Sequence, residues 1–458
     1  MRQVVAVTLF AVGVAGCGGG APPTTGARPE GGGGGAAAAG GLTLFDASSV
    51  YASMGLLVAG PPLPFIATVR YFADAGPDST LALFALSLAN HALTFQRDGP
   101  AFTAHYHVDV AFRHDTGSVR QFATEETVRV RTFQETLRAD ESVIYQQFVA
   151  IPPGVYRVDV TVRDRNGPAV SHRERTDTVA RFAGQGMAMP LAVYQGPGRR
   201  RRADVPKLVA NPRAMLPYGV DSLRFYVEVY GARGGTRLAA RALDQGGHEV
   251  WRDTLALAGD EALASALAVI GPGDLPVGTG RFEVAPVGAG PDAARITPFL
   301  VSFSDQWAIT NYDQMISLLR YFDRQDWVDK LRQATPEQRP AVWREFYRAT
   351  DPNPATPENE ALDAYFRRVQ IANQRFREGD PGWLTDRGEV FITLGEPDDV
   401  FDFSSDVARA GVRGVRWTYN AFRLTLFFQD QNGFGRFRLT PLSRAEFQRA
   451  AALARRRQ

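Results

Sequence analysis

Between Phe65 and Phe182 the apolar residues of this chain recur at every second position, and after Ser304 they recur at every third or fourth. Side chains alternate across a strand and repeat at about 3.6 residues on a helix, so the chain is expected to fold as β-structure first and as helices afterwards. The alternation is clearest from Phe102 to Phe112. There Phe102, Ala104, Tyr106, Val108, Val110 and Phe112 point one way, and Thr103, His105, His107 and Asp109 point the other. Tyr156, Val158, Val160 and Val162 repeat it after Pro152-Pro153-Gly154, and further strands are expected at Leu81 to Leu88, Thr127 to Phe133 and Val143 to Phe148. A second β-rich block runs from about Met187 to Pro298, with strands expected at Ser222 to Tyr230, Glu249 to Leu257 and Gly280 to Val287. Short strands separated by Asp/Gly/Pro turns, with no helical stretch long enough for parallel crossovers, indicate antiparallel sandwiches. The expected architecture is multidomain: two tandem antiparallel β-sandwiches, Ig-like in architecture only, over residues 42–185 and 186–300, then an α+β domain over 301–458.

Helix signals fill the first half of that last domain. Thr335-Pro336-Glu337-Gln338 offers an N-cap threonine, a proline at the first helical position and a capping-box glutamine. Thr356-Pro357 opens a second helix in the same way, with Leu362, Tyr365, Phe366, Val369 and Phe376 as its apolar stripe and Gly379 as its stop. Trp307 to Phe322 and Asp326 to Gln333 are two further helices. Strands are expected again at Val390 to Leu394, Val415 to Tyr419 and Leu424 to Phe428, with Asn432-Gly433 as a hairpin turn. Ser443 to Glu446 reads as a capping box opening a final helix.

Only one cysteine, Cys17, is present, so disulfides within the chain contribute nothing and packing has to hold each domain together. Apolar content of 45% is enough for that. Basic and acidic residues number 51 and 49, for a formal charge of +2, which gives no global field to draw the protein to nucleic acid. Arginines cluster at Arg199 to Arg202 and at Arg455 to Arg457. They read as a solvated loop and a solvated helix end, the alternative being contact with phosphate or anionic headgroups.

The segment ahead of the folded part gives the protein's address. Arg2 precedes an apolar run from Val4 to Val14, and small residues stand before Cys17, which is the layout of a secretory signal at 1–16. The run is too short to span a bilayer. Val14-Ala15-Gly16-Cys17 resembles a bacterial lipobox, which implies a lipid-bearing Cys17 at the mature N-terminus and attachment to a membrane. Residues 17–41, rich in Gly and Ala, read as a flexible tether reaching roughly 25–30 Å on average. Two or more acyl chains make such an anchor long-lived, because each buried methylene contributes about 0.8 kcal/mol. Gly18 in place of aspartate after the cysteine resembles lipoproteins sent to the outer membrane.

The most distinctive internal stretch is Gly382-Trp383-Leu384-Thr385-Asp386-Arg387-Gly388, followed by Gly395-Glu396-Pro397-Asp398. It closely resembles the signature of the GWxTD domain, a bacterial family named for this pentad, over roughly Ser304 to Thr440. The resemblance implies an exported protein with a β-rich N-terminal region, and no reaction, since the family has no established catalytic role. Physically the segment reads as a corner between helix and strand. Trp383 is buried in it, Thr385 or Asp386 bonds backbone amides, and Gly388 frees the chain to enter a strand. The alternative is a cleft in which Trp383, Thr385, Asp386, Arg387, Glu396 and Asp398 bind a polar ligand or a partner.

Elsewhere, His105-x-His107-x-Asp109 matches the letters of a zinc-hydrolase motif, but it lies on an unbroken strand that calls for a solvated face, and a third ligand would have to come from a neighbour. No nucleophile elbow, phosphate loop or nucleotide fingerprint appears. We therefore expect no cofactor, no metal and no catalytic residue. The expected function is that of a non-enzymatic envelope lipoprotein engaging a protein or glycan. The alternative is a hydrolase of envelope or extracellular polymer with its site near Asp386 and Arg387.

Overall fold

The computed structural model describes residues 5–7 and 47–455, apart from 118, 137–141, 220, 304–308, 310, 355–358, 404–412 and 431. Cys17 and the tether lie outside the described residues, as does Thr356-Pro357. Residues 47–303 form four sheets, and a helix-rich region with a fifth sheet follows. Among the described residues no helix is long and apolar enough to cross a membrane.

The period-two segments become strands because one set of alternating side chains is apolar throughout. The alternating stretch identified above is a 14-residue strand, Ala101–His114, with Tyr106, Val108, Val110 and Phe112 fully buried. It pairs with Val119–Val130 and with Gly154–Asp164, which in turn pairs with Val170–Val179. A facing sheet carries Ser142–Ile151, Thr80–Ala89, Phe65–Ala73 and Leu57–Ala59 in antiparallel order; Val5–Val7, from the segment expected to be removed as a signal, lies alongside its edge in parallel. Phe65, Phe84 and Tyr145 from this sheet share one core with Val108, Phe112 and Val160 from the other.

Residues 186–302 form two more sheets. One is built on Leu191–Gly198, Leu223–Tyr230 and Ala264–Ile270, and the other on Arg237–Leu243, Glu249–Ala256, Gly278–Pro286 and Arg295–Ser302. Phe225 of the first stacks on Phe282 of the second, with centroids 4.2 Å apart and rings nearly parallel. Met215–Pro217 departs from the antiparallel expectation by running parallel to Arg295–Ser302.

These β regions are joined by buried contacts. The strand Thr80–Ala89 is buried on both faces, because its outward residues Leu81, Leu83 and Ala85 pack with Leu191, Val193, Leu208 and Tyr226. Gln146 imitates a strand partner across this junction: its Nε2 donates to the Leu208 carbonyl (2.8 Å) and its Oε1 accepts from the Ala210 amide (3.0 Å). Arg199 lies at the centre of the junction and corrects the expectation of a solvated arginine loop. Its side chain and that of Glu228 are both 0% exposed and paired at 2.9 Å. Arg199 also donates to the carbonyls of Ala73, Arg202 and Asp204. Tyr226 and Tyr230 donate their hydroxyls to Glu228 at 2.8 and 2.6 Å, and the Tyr230 oxygen accepts from the Ala73 amide. Burial works against the Arg199 charge, but its hydrogen bonds to Glu228, the Glu228 charge and the two tyrosines together hold the guanidinium above its ordinary value. Arg200 and Arg201 are exposed, as a solvated loop requires.

A continuous core then runs from the second β region into the helices through Tyr218, Phe303, Tyr312 and Trp343, with Phe303 and Trp343 centroids 4.6 Å apart. Among the described residues of this region the α-helices are α1 (Tyr312–Leu318), α2 (Gln325–Gln333), α3 (Arg339–Thr350), α4 (Glu360–Arg375), α5 (Asp386–Leu394) and α6 (Pro441–Arg455). A four-stranded sheet, Asp399–Asp402, Arg413–Tyr419, Leu424–Asp430 and Arg438–Leu439, separates α5 from α6, and Gly433 (φ 73°) sits in the expected turn before the last strand.

Several local expectations are corrected. Val390–Leu394 is the second half of helix α5, not a strand. Its Val/Phe/Ile run favours β-structure by propensity, but the Thr385 cap, the acids Asp386 and Glu389 in the first turn, and Gly395 (φ 87°) just past the end specify a helix that burial then holds. Helix α3 begins at Arg339, although the Thr335 amide does donate to the Gln338 side chain as the capping box anticipated. Helix α4 is capped by Asn359, whose Oδ1 accepts from the Leu362 amide. The last helix starts ahead of Ser443: the Thr440 hydroxyl accepts from the Ser443 amide, and the buried Ser443 hydroxyl accepts from the Phe427 amide.

Candidate functional site

The signature segment lies where α4, α5, the last strand and α6 meet. After Pro381 a single 3₁₀ turn, Gly382–Leu384, leads into α5. Gly382 is required by closeness rather than by dihedral angle. A Cβ there would lie 2.1 Å from the Ala372 carbonyl of α4. Gly388 has the same constraint one step further on, since its Cβ would lie 2.0 Å from the Gly382 carbonyl. Backbone therefore packs directly on backbone through three successive segments, which places Gly388 inside a helix and corrects its assignment as a strand entry.

The side chains of the segment then lock this corner. Trp383 is 8% exposed, with the Arg320 guanidinium over its ring. Thr385 is the N-cap: its hydroxyl accepts from the Gly388 amide (3.1 Å) and donates to the Gly382 carbonyl (2.8 Å). Asp386 accepts from the Leu439 amide (2.8 Å) and pairs with Arg444 (2.6 Å) and Arg438 (3.3 Å), which ties α5 to the last strand and to α6. Burial works against the Arg444 charge, but its bonds to Glu389 and Asp386 hold the guanidinium above its ordinary value. Arg387 donates to Glu378 (2.8 Å), whose other oxygen accepts from the Phe437 amide (2.9 Å). Burial pushes the Glu378 carboxyl up, against the nearby Arg387 charge.

The six residues proposed from sequence therefore do not share one cleft. Trp383, Thr385 and Asp386 are spent inside the corner. Asp398 is exposed past the end of α5, accepting from the Asn420 amide (2.7 Å). Arg387 and Glu396 do line a common hollow of about 200 Å³ with Phe376, Val400 and Trp417. Glu396 is paired there with Arg375 at 2.6 Å.

A larger cavity, about 660 Å³, opens elsewhere among the helices. Its walls come from the segment Tyr321–Arg324, the end of α3, one face of α4, Ile392 and Thr393 of α5, and Ala454 of α6. Of its polar residues, the sequence pattern marks only Tyr365, as a member of the apolar stripe of α4. Arg368, for example, reads there as an ordinary polar position beside the apolar stripe of α4.

On the first β region, His105 bonds Thr127 (2.9 Å) and Asp109 accepts from Gln121 (2.9 Å), so His105, His107 and Asp109 do not converge. Among the described residues, the group close enough to share a metal is Asp159, His172 and Glu174. Asp159 is already paired with Arg113 at 2.8 Å.

The matched region and the corner coincide. The GWxTD domain family matches residues 291–433, which contain the whole signature segment and helices α1 to α5. Residues 291–433 form a GWxTD domain. The larger cavity belongs almost entirely to this GWxTD domain, with Ala454 of α6 as its one lining residue beyond 433. No curated protein matches the chain. Among solved structures it is similar to a biofilm-associated protein BSP domain, with 8% identity over 55% of this chain and 54% of that one and a TM-score of 0.16. It is also similar to Bifidobacterium dentium β-glucuronidase complexed with coumarin-3-O-glucuronide, with 11% identity over 53% and 49% and a TM-score of 0.17. The chain spans about half the length of each, and scores this low carry no argument about fold or activity.

Proposed function

We propose that the protein is a lipid-anchored cell-envelope protein in which two Ig-like sandwiches, residues 42–185 and 186–300, form a stiff arm that presents the GWxTD domain, within residues 301–458, as a non-enzymatic binding or adaptor module. Lipid on Cys17 and the tether over 17–41 hold this arm close to the membrane, which by the residue after Cys17 is the outer membrane. The domain engages an envelope protein or a glycan.

The observation that carries the proposal is that the signature residues are consumed by the fold. Gly382, Trp383, Thr385 and Asp386 hold four elements together. Hydrolysis of a glycosidic bond by the usual pair of carboxyl groups needs both facing one substrate. Here Asp386 and Glu378 are each held by an arginine and a backbone amide. Stiffness of the arm is supported by the buried Arg199–Glu228 pair and by the aromatic junction at Phe303 and Trp343.

The test is fractionation of cells carrying wild-type protein or Cys17→Ser. Wild type is expected in the membrane pellet and the variant in the soluble envelope fraction; retention of the variant in the pellet would sink the anchor. Cross-linking of the anchored wild type in living cells, with mapping of the linked peptides, is expected to join the GWxTD domain to one envelope partner. Self-links alone would count against the adaptor role.

A further inference from the structure

The cavity of about 660 Å³ lies within the range of small-molecule sites, roughly 300–1,000 Å³. Its polar groups differ in how they are satisfied. Arg324 pairs with Asp326 through two bonds of 3.1 Å, and Asp351 accepts from the Asn353 amide, so both are committed. Arg368 is not. It is half-buried on α4, its Nε is shut off from solvent without a hydrogen-bond partner, and among the described residues no carboxylate pairs with it. Burial lowers its pKa, with Tyr365 and then Asp323 acting in the other direction. Asp323, on the wall contributed by Tyr321–Arg324, feels the charges of Arg324 and Arg368 but makes no side-chain hydrogen bond among the described residues. Two opposite charges thus line one cavity without closing on each other. Ala364 and Ala361, one and two turns before Arg368 on the same face of α4, leave the floor open.

A half-buried guanidinium whose Nε has no partner costs free energy that a bound anion recovers, and its planar fork matches a carboxylate. Asp323 in turn calls for a hydrogen-bond donor. We propose that this cavity is a binding site for a small carboxylic acid that also carries hydroxyl or ammonium donors, with Arg368 receiving the carboxylate and Asp323 the donors. Sugar acids and amino acids share that chemistry. The proposal rests on the binding-module role given above and names the class of ligand for it.

The test is calorimetric titration of the full-length protein in detergent with four probes: sodium D-glucuronate, glycine, D-glucose and sodium acetate. Saturable binding is expected for glucuronate or for glycine, identifying a sugar-acid or an amino-acid source respectively. Acetate and glucose should bind at least about tenfold more weakly, each lacking one of the two groups. Arg368→Gln should weaken the binding probe about tenfold or more, and Asp323→Asn should weaken it as well. Arg368→Gln should also melt, without ligand, at the wild-type temperature or a few degrees above it, because it removes a charge the empty fold does not use. The proposal is overturned if neither donor-bearing acid binds, if acetate binds as well as they do, or if Arg368→Gln binds like wild type. A lowered melting temperature for the unliganded variant would also overturn it, by making Arg368 a structural residue. A negative titration leaves the membrane-anchored arm standing, since Cys17→Ser fractionation reads the anchor without involving this cavity.

Discussion

Arg199→Ala is expected to destabilise the folded chain by about 3–5 kcal/mol, read as a shift in the denaturant midpoint. The size follows from what is left behind. Glu228 is left at 0% exposure with only the Tyr226 and Tyr230 hydroxyls to bind it, and the carbonyls of Ala73, Arg202 and Asp204 lose their donor. The same pair is not itself a strong source of stability, because removing two charges from water offsets most of their attraction. Replacing both members, as in Arg199→Met with Glu228→Leu, should therefore recover most of the loss. If the single substitution costs under about 1 kcal/mol, the typical value for an exposed ion pair, the two β regions are not held together as described.

Trp383→Ala should cost about 3–5 kcal/mol, the usual loss for a buried aromatic. The indole is 8% exposed and belongs to the core that also holds Phe376, Phe391 and Trp417. Its Nε1 is buried without a partner, so Trp383→Phe removes an unsatisfied donor along with some volume and should cost less than half as much. Thermal melts of the two variants check this order. An unchanged melting temperature for Trp383→Ala would instead mark the side chain as an exposed recognition residue.

Where one face of an element is apolar and the other is wet, the sequence pattern alone located it. The alternation from Phe102 to Phe112 became Ala101–His114, and the strands expected at Val143, Tyr156, Ser222 and Leu424 lie within a few residues of where they form. The pattern failed where tertiary contact overrides local preference. Val390-Phe391-Ile392 reads as a strand by composition, but the Thr385 cap, Gly395 and its buried position keep it in a helix. Arg199 could not be told from its neighbours Arg200 and Arg201 in the same run, because its partner Glu228 comes from a distant strand. The signature was legible as a motif and as a corner. That two of its glycines sit where a Cβ would lie about 2 Å from a carbonyl oxygen, and that Asp386 reaches forward to Leu439 and Arg444, depends on distances no linear pattern carries. Arg368 illustrates the same limit, since an arginine beside an apolar stripe looks the same whether it faces bulk water or a cavity.

In the function proposed above, the GWxTD signature holds the domain together rather than contacting a ligand. Native-state amide hydrogen exchange tests it most directly, because four amides depend on the corner alone: Gly382 donates to Asn373, Gly388 to Thr385, Phe437 to Glu378 and Leu439 to Asp386. If the corner is a closed structural knot, these four exchange as slowly as the central strand Leu424–Asp430 and open only with the whole domain. Fast exchange at Gly382 and Gly388 beside a protected central strand would mean that the corner opens by itself, as a ligand site does, and would contradict the account.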